Sequence, residues 1–249
     1  MTCFVLTDPQ GQIKDRDMLD LYDGYLELCQ PTKFFKEFEV VTNKELIGRN
    51  DVFCGHVNIC KQIWKNLGLK IPELDCYPKE LKEYFGRNIR KMDFLNCYNL
   101  MVENEENFGE TYFIKPIKNK LFTGFTCTTA KEAIKVKDIS PCTFNTMVYM
   151  CSYVKFDAEF RAYVFKNKIV DVFRYWGDNW SVTVDKAKVE HMVSLVPNPP
   201  VFYSLDFGID DKGRTLLVEI NDGYALGNYG LGPKQYAEMS MARWKEIMQ

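Results

Sequence analysis

The sequence has 249 residues, 46% of them hydrophobic and 27% charged, enough to bury a sizeable core as one large domain or two small lobes. Its 32 basic residues are offset by 34 acidic ones, for a formal net charge of -2, and neither a nucleic-acid nor an anionic-membrane partner is predicted. No stretch approaches the roughly 20 apolar residues of a membrane span. Asp8 and Pro9 break the N-terminus before a signal-length apolar run builds up, so a soluble, cytoplasmic protein is expected.

Residues 3–7 predict a strand, and 16–29 a helix with Leu19, Tyr22, Leu26 and Cys29 on one face. Residues 38–42 and 51–55 read as strands. A helix follows, with Val57, Cys60, Ile63, Trp64 and Leu67 at three-to-four spacing, and Gly68 stops it. This alternation predicts a small α/β domain with parallel strands over residues 1–75.

After a short helix opened by Pro78 comes a basic segment holding Arg87, Arg90 and Lys91. Strands are then predicted at 111–116, 121–127, 146–154, 159–167, 168–176, 200–209 and 215–221, with helices at 130–137 and 185–196 and a last one from Pro233. The segments 165–168 and 210–214 read as hairpin turns, the second with Gly213 free to take a positive φ. The nine cysteines, at 3, 29, 54, 60, 76, 97, 127, 142 and 151, form no C-x-x-C pair and read as reduced, mostly buried thiols.

The second hairpin carries the chemistry. Residues two apart on a strand face the same side, so Glu219 and Asn221 project together, and a turn near 211–213 brings Asp206 toward them, allowing for a bulge. Two carboxylates this close repel unless a cation or a proton lies between them, and an all-oxygen set suits magnesium or manganese. The plain alternative is an amphipathic hairpin with idle carboxylates. Against it stand Tyr203, Leu205, Phe207, Leu217 and Val218, which leave little surface on which such groups are solvated.

Lys115 ends an apolar strand before Pro116, and Lys118, Lys120 and Gly124 follow in one hairpin, an arrangement suited to folding over a polyphosphate. Further on, Glu159 and Arg161 share a strand face. They form either an internal ion pair or a guanidinium aimed at a transferring phosphoryl group. His56 and His191 fall on predicted helices and read as structural or surface residues.

This order of elements resembles the ATP-grasp superfamily: lysine on a strand ("FIKP"), a hinge strand ("VYMCSYV"), "EFR", then Asp on one strand and Glu-x-Asn on the next. The "NDGYALGNYGL" loop and the basic segment at 87–91 are similar to its divergent clade of viral and bacterial proteins and the eukaryotic translation-initiation-factor assembly chaperone. The resemblance implies two α+β lobes that clasp ATP over residues 76–249, lobe one about 76–147, a hinge about 148–154 and lobe two about 155–249, after the small N-terminal domain. It implies adenine at the hinge backbone around Met150, Cys151 and Val154, and phosphate contacts from Lys115 and one of Arg87, Lys91 or Lys120. Asp206, Glu219 and Asn221 would bind magnesium, and Arg161 would stabilise the transferred group. Asp222, Gly223, Tyr224 and Tyr229 are the expected substrate loop.

The activity so implied is an ATP- and magnesium-dependent carboxylate–amine ligase that works through an acyl phosphate, with an amino-acid, peptide or protein substrate. The alternative is a non-catalytic ATP-binding assembly factor for a protein partner. An open apolar surface on 222–229 would favour the assembly factor.

Overall fold

Strand β1 (Cys3–Thr7) pairs in parallel with β2 (Thr32–Lys36), and helix α1 (Arg16–Glu27) makes the crossover. The Asp15 carboxylate caps α1 by accepting the Met18 N–H at 2.9 Å. The helix buries Met18, Leu21, Gly24 and Tyr25, while Leu19, Leu26 and Cys29 are exposed, so the face expected to pack is the outer one. The cause is α7 (Pro233–Met248), which lies against α1 at Gly24; a Cβ there would stand 2.2 Å from the Pro233 carbonyl oxygen.

Residues 38–42, expected as a strand, form helix α2 (Glu37–Thr42). Glu39 reaches back to accept the Lys36 N–H at 2.6 Å, which fixes the first turn, and the adjacent residues 32–36 supply the strand. Of 51–55, only Val52 pairs, in parallel with Cys3. Helix α3 (Val57–Asn66) buries Val57, Cys60, Ile63 and Trp64 as its spacing predicts, and Gly68 follows with φ +66°.

The computed structural model describes residues 1–105, 109–118 and 121–249, and its contacts divide these into two units. One joins Met1–Tyr84 to Phe156–Gln249; the other is Phe85–Lys155. The expected boundary after residue 75 falls inside the first unit, because the N-terminal segment shares one core with the C-terminal part. Trp64 packs edge-on to Tyr224 at 4.7 Å and against Trp244 at 5.4 Å.

The first unit also holds an antiparallel sheet in the order β10-β9-β7-β8, built from β7 (Phe156–Phe165), β8 (Lys168–Trp176), β9 (Phe202–Asp210) and β10 (Thr215–Asp222). Lys166 and Asn167, both at positive φ, form the tight turn between β7 and β8, and Gly213 at φ +71° closes the β9–β10 turn. Helix α6 (Lys186–Ser194) packs beside β8.

The second unit is an antiparallel sheet in the order β3-β6-β4-β5: β3 (Ile89–Asp93), β4 (Tyr112–Pro116), β5 (Phe125–Cys127) and β6 (Met147–Ser152). Helices α4 (Phe94–Glu105) and α5 (Ala130–Ile139) share its core through Phe94, Cys97, Ala130 and Ala133, against Ile114, Val148 and Met150. The basic segment, for which the sequence predicts no element, is partly strand β3, paired with β6. The expected mixture of an α/β segment and antiparallel α+β sheets is the one observed.

Candidate active site

In the first unit the register settles the geometry. Asp206 stands opposite Arg161 on β7 and opposite Glu219 on β10, and a bulge between Leu217 and Glu219 produces the second pairing. Arg161 pairs with Asp206 in a two-pronged contact, Nε to Oδ1 at 2.8 Å and Nη2 to Oδ2 at 2.7 Å. Asp206 is 2% exposed and Arg161 8%. The Ser204 hydroxyl donates to Asp206 Oδ1 at 3.1 Å, and Asn221 Nδ2 donates to Asp206 Oδ2 at 3.1 Å and to Glu219 Oε1 at 3.0 Å.

Burial pushes the Asp206 carboxyl up from its ordinary value and the Arg161 charge pulls it back, while Glu219 adds repulsion. Burial disfavours the Arg161 cation too, but the Asp206 carboxylate outweighs that and holds the guanidinium charged.

The expected trio of Asp206, Glu219 and Asn221 therefore converges, with an amide N–H between the carboxylates. Among the described residues no three His, Cys, Asp or Glu side chains gather as a metal site, so Asp206 and Glu219 are joined here by an amide and not by a third carboxylate or an imidazole. They fit a hard cation: turning the Asn221 amide about would present its oxygen and free one lone pair on Asp206 Oδ2.

The loop after β10 is anchored. Asp222 is clamped by Arg243 at 2.6 and 2.7 Å, a Cβ on Gly223 would stand 2.3 Å from the Phe202 carbonyl oxygen, and Tyr224 is 3% exposed. Of the four expected substrate residues, Tyr229 alone has a largely exposed side chain, at 45%. Its ring stacks on Tyr175 at 5.1 Å, and the Arg161 guanidinium lies 4.8 Å from the Tyr229 ring centre.

Several residues of this site carry no sequence signal of their own. Arg161 Nη1 donates to the Gly227 carbonyl at 3.2 Å, as does the Tyr163 hydroxyl at 2.6 Å, and Tyr163 accepts the Tyr229 N–H at 2.9 Å. Asn228 ties the loop to α1, its N–H reaching Asp17 Oδ1 at 2.8 Å and its Nδ2 reaching Asp20 Oδ2 at 2.7 Å. A carboxamide inside "LGNYGL" is a turn signal, but its partners lie over 200 residues away.

In the second unit Lys91, Tyr149 and Lys115 stand directly opposite one another on β3, β6 and β4, so all three side chains leave the same face. Lys91 Nζ sits 5.2 Å from the Tyr149 ring centre. Gly124 allows close packing beside this row, since a Cβ there would stand 2.5 Å from the Phe113 ring and 3.2 Å from Lys115 Cβ. Arg87 turns one guanidinium nitrogen onto the Phe85 carbonyl at 3.0 Å, and Lys120 lies outside the described residues.

Met150 and Cys151 are paired on both sides, to Arg90 and Ile114 and to Ile89 and Phe113, which commits their backbone groups to the sheet. The Met150 side chain faces the helices. Val154 is past the end of β6 and outside both ladders.

A family of ATP-grasp domains, described as family 2 of the R-2-K clade, matches residues 84–239. Comparison with curated proteins finds no match. Among solved structures the chain resembles the D-cycloserine synthetase DcsG (TM-score 0.60, 11% identity, 98% of this chain and 100% of that one). It also resembles D-alanine–D-alanine ligase from Bacillus anthracis complexed with ATP (TM-score 0.58, 12% identity, 100% and 98%). A third is N5-carboxyaminoimidazole synthetase from Staphylococcus aureus (TM-score 0.58, 11% identity, 97% and 77%). At these identities the likeness is one of fold. The family match spans more than half of the sequence, and the fold agrees with it: the chain belongs to the ATP-grasp superfamily, in the R-2-K clade.

Proposed function

We propose that the protein is an ATP- and divalent-metal-dependent ligase that joins a carboxylate to an amine through an acyl phosphate. The observation that carries this reading is the convergence of Asp206, Glu219 and Asn221 beside the buried Arg161. Magnesium, or manganese in its place, would be held by those three residues, and when bound it neutralises phosphate oxygens.

The chain's own residues do the rest. Lys115 and Lys91, projecting from one sheet face, are suited to grip phosphate oxygens, and that shared face favours Lys91 over Arg87 as the second basic contact. The Val154 backbone groups and the Tyr153 carbonyl, beyond the end of β6, are the ones we assign to adenine, since the Tyr153 N–H donates to the Thr111 carbonyl at 3.0 Å. Arg161 spends three of its five N–H groups on Asp206 and Gly227, which fixes its plane and leaves two for an oxyanion. The acyl donor and amine acceptor in this reading are amino acids, peptides or proteins, and we propose a cytoplasmic location. Among the described residues no helix is long and apolar enough to cross a membrane.

The assembly-factor reading calls for apolar surface on the loop after β10. Within 222–229 Tyr224 and Leu226 are no more than 4% exposed and only Tyr229, at 45%, is open, which is too little apolar surface for a client and favours chemistry.

Calorimetry with MgATP tests the nucleotide half of the proposal: wild type should bind, and Glu219→Gln or Lys115→Ala should each weaken binding about ten-fold or more, equivalent to ~1.4 kcal/mol. Incubation with ATP, magnesium and a panel of amino acids and peptides tests the rest. ADP and phosphate should appear with the right pair, and ATP binding without turnover on any pair would leave the assembly factor as the better reading.

A further inference from the structure

Beside the Arg161–Asp206 pair, Gly227 leaves room for a methyl-sized group that neither the metal set nor the phosphate lysines use. A methyl group in the Cβ position of Gly227 would stand 3.4 Å from Asp17 Oδ2, 3.7 Å from Arg161 Nη1 and 3.7 Å from the Tyr229 ring, all ordinary contact distances. The space is thus bounded by a carboxylate oxygen, a guanidinium and an aromatic wall, all supplied by the first unit.

Asp17 is held there by one oxygen only. Its Oδ1 accepts the Asn228 N–H at 2.8 Å, and Asn228 in turn is fixed by Asp20 and by the Leu231 and Gly230 backbone. Oδ2 makes no hydrogen bond among the described residues. Nor does Asp17 form an ion pair there, since the Arg161 salt bridge is made with Asp206 and the Arg16 contact is made with Asp20. With one oxygen fixed and the other making no hydrogen bond, this half-buried carboxylate is compensated only at longer range by the Arg161 charge, and a cationic donor beside Oδ2 would gain a charge-assisted hydrogen bond. Burial pushes this carboxyl above its ordinary value, with Asp15 and Asp20 adding repulsion and the Asn228 N–H and the Arg161 charge opposing them. A bound ammonium would relieve that penalty.

We propose that Asp17, across the Gly227 space from Arg161 and Tyr229, is the recognition site for the ammonium group of the amine substrate. The proposal rests on the ligase reading and narrows it. It makes the acceptor a primary amine that arrives charged, as the α-amino group of an amino acid or peptide does, and puts that amine next to the guanidinium assigned to the transferring group. Asp17 then determines specificity, and Asn228 is a positioning residue that aims it.

The test is titration calorimetry with glycinamide and its uncharged counterpart acetamide as probes, on the full chain at pH 7. Wild type should prefer glycinamide by about ten-fold or more, the size of a charge-assisted contact. Asp17→Asn keeps the oxygen that accepts the Asn228 N–H, so the loop stays anchored while the preference disappears. Gly227→Ala fills the space without a backbone clash and at unchanged charge, and it should weaken glycinamide binding to a similar degree. The proposal is overturned if wild type shows no preference, or if Asp17→Asn retains it. Full glycinamide binding in Gly227→Ala would put the amine elsewhere and overturn it equally. Titrating MgATP into the same wild-type sample separates the two readings. Absent nucleotide binding sinks the ligase reading, whereas nucleotide binding without amine preference sinks this inference alone.

Discussion

Arg161 on β7 and Asp206 on β9 meet across the sheet in a two-pronged ion pair at 2.7 and 2.8 Å, both nearly withdrawn from water. A pair so buried is weak support for stability as a unit, since desolvation offsets its attraction, yet either partner alone is costly. Arg161→Met and Asp206→Asn should each lower the unfolding free energy by about 3–5 kcal/mol. The double variant should lose much less than the sum, and urea unfolding of all four proteins measures this. Additive losses would mean that the two side chains are not energetically coupled.

Asn221→Asp puts a third carboxylate beside Asp206 and Glu219. Without a cation the repulsion should lower the melting temperature, and magnesium should restore it more than it does for wild type. Thermal unfolding with chelator and with magnesium reads this directly. A melting temperature that ignores magnesium in the variant would exclude these residues as a metal site.

Lys91→Ala should weaken MgATP binding by about ten-fold, and Arg87→Ala by clearly less. The difference arises because Lys91 leaves the same sheet face as Lys115, while Arg87 is turned onto the Phe85 carbonyl. Calorimetry on the two variants decides it, and equal losses would refute the assignment of Lys91.

Gly24→Ala should destabilise the first unit by about 1–3 kcal/mol, the usual cost of overpacking. The added carbon would meet backbone and not a movable side chain, at 2.2 Å from the Pro233 carbonyl oxygen and 2.5 Å from Ala237 Cβ. α1 and α7 must then move apart. Denaturant unfolding tests this, and an unchanged midpoint would show that the helices adapt freely.

Asp210 titrates with the β9–β10 hairpin. Burial alone would raise its carboxyl, but Arg214 and the N–H groups of Arg214 and Lys212 hold it below the ordinary carboxylate value. A depressed folded-state value stabilises the fold above the unfolded pKa of about 3.9 and is lost as pH falls through the lower folded value. Carbon NMR of the Asp210 carboxyl should therefore show a midpoint below that of an unfolded peptide. An equal or higher midpoint would contradict the hydrogen-bond account.

The hairpin and its bulge are legible because alternation of apolar and polar residues states which side chains share a face, and Glu219 and Asn221 need only that. The partner of Arg161 is not. Glu159 lies two residues away on the same face, but the register sets Asp206 opposite, and register depends on strands 45 residues apart. Residues 38–42 read as a strand because a short apolar run looks the same in strand and helix, and the deciding contact comes from Glu39 reaching back to Lys36. Helix α1 has apolar side chains on two faces, and only the presence of α7 selects the buried one. Asp17 and Asn228 are 211 positions apart, and nothing local in either segment announces the other.

The sharing of one core by residues 1–84 and 156–249 also bears on the order in which the chain matures on the ribosome. Trp244, fully buried and donating its indole N–H to the Asp51 carbonyl, closes a core that Trp64 and Phe53 opened nearly 200 residues earlier. Synthesis therefore delivers the contiguous stretch 85–155 complete while the first 84 residues still wait, their apolar side chains uncovered, for helix 233–248. Vectorial emergence makes the nascent N-terminal segment the part of this protein most dependent on shielding, and a stop before Pro233 would leave it permanently so.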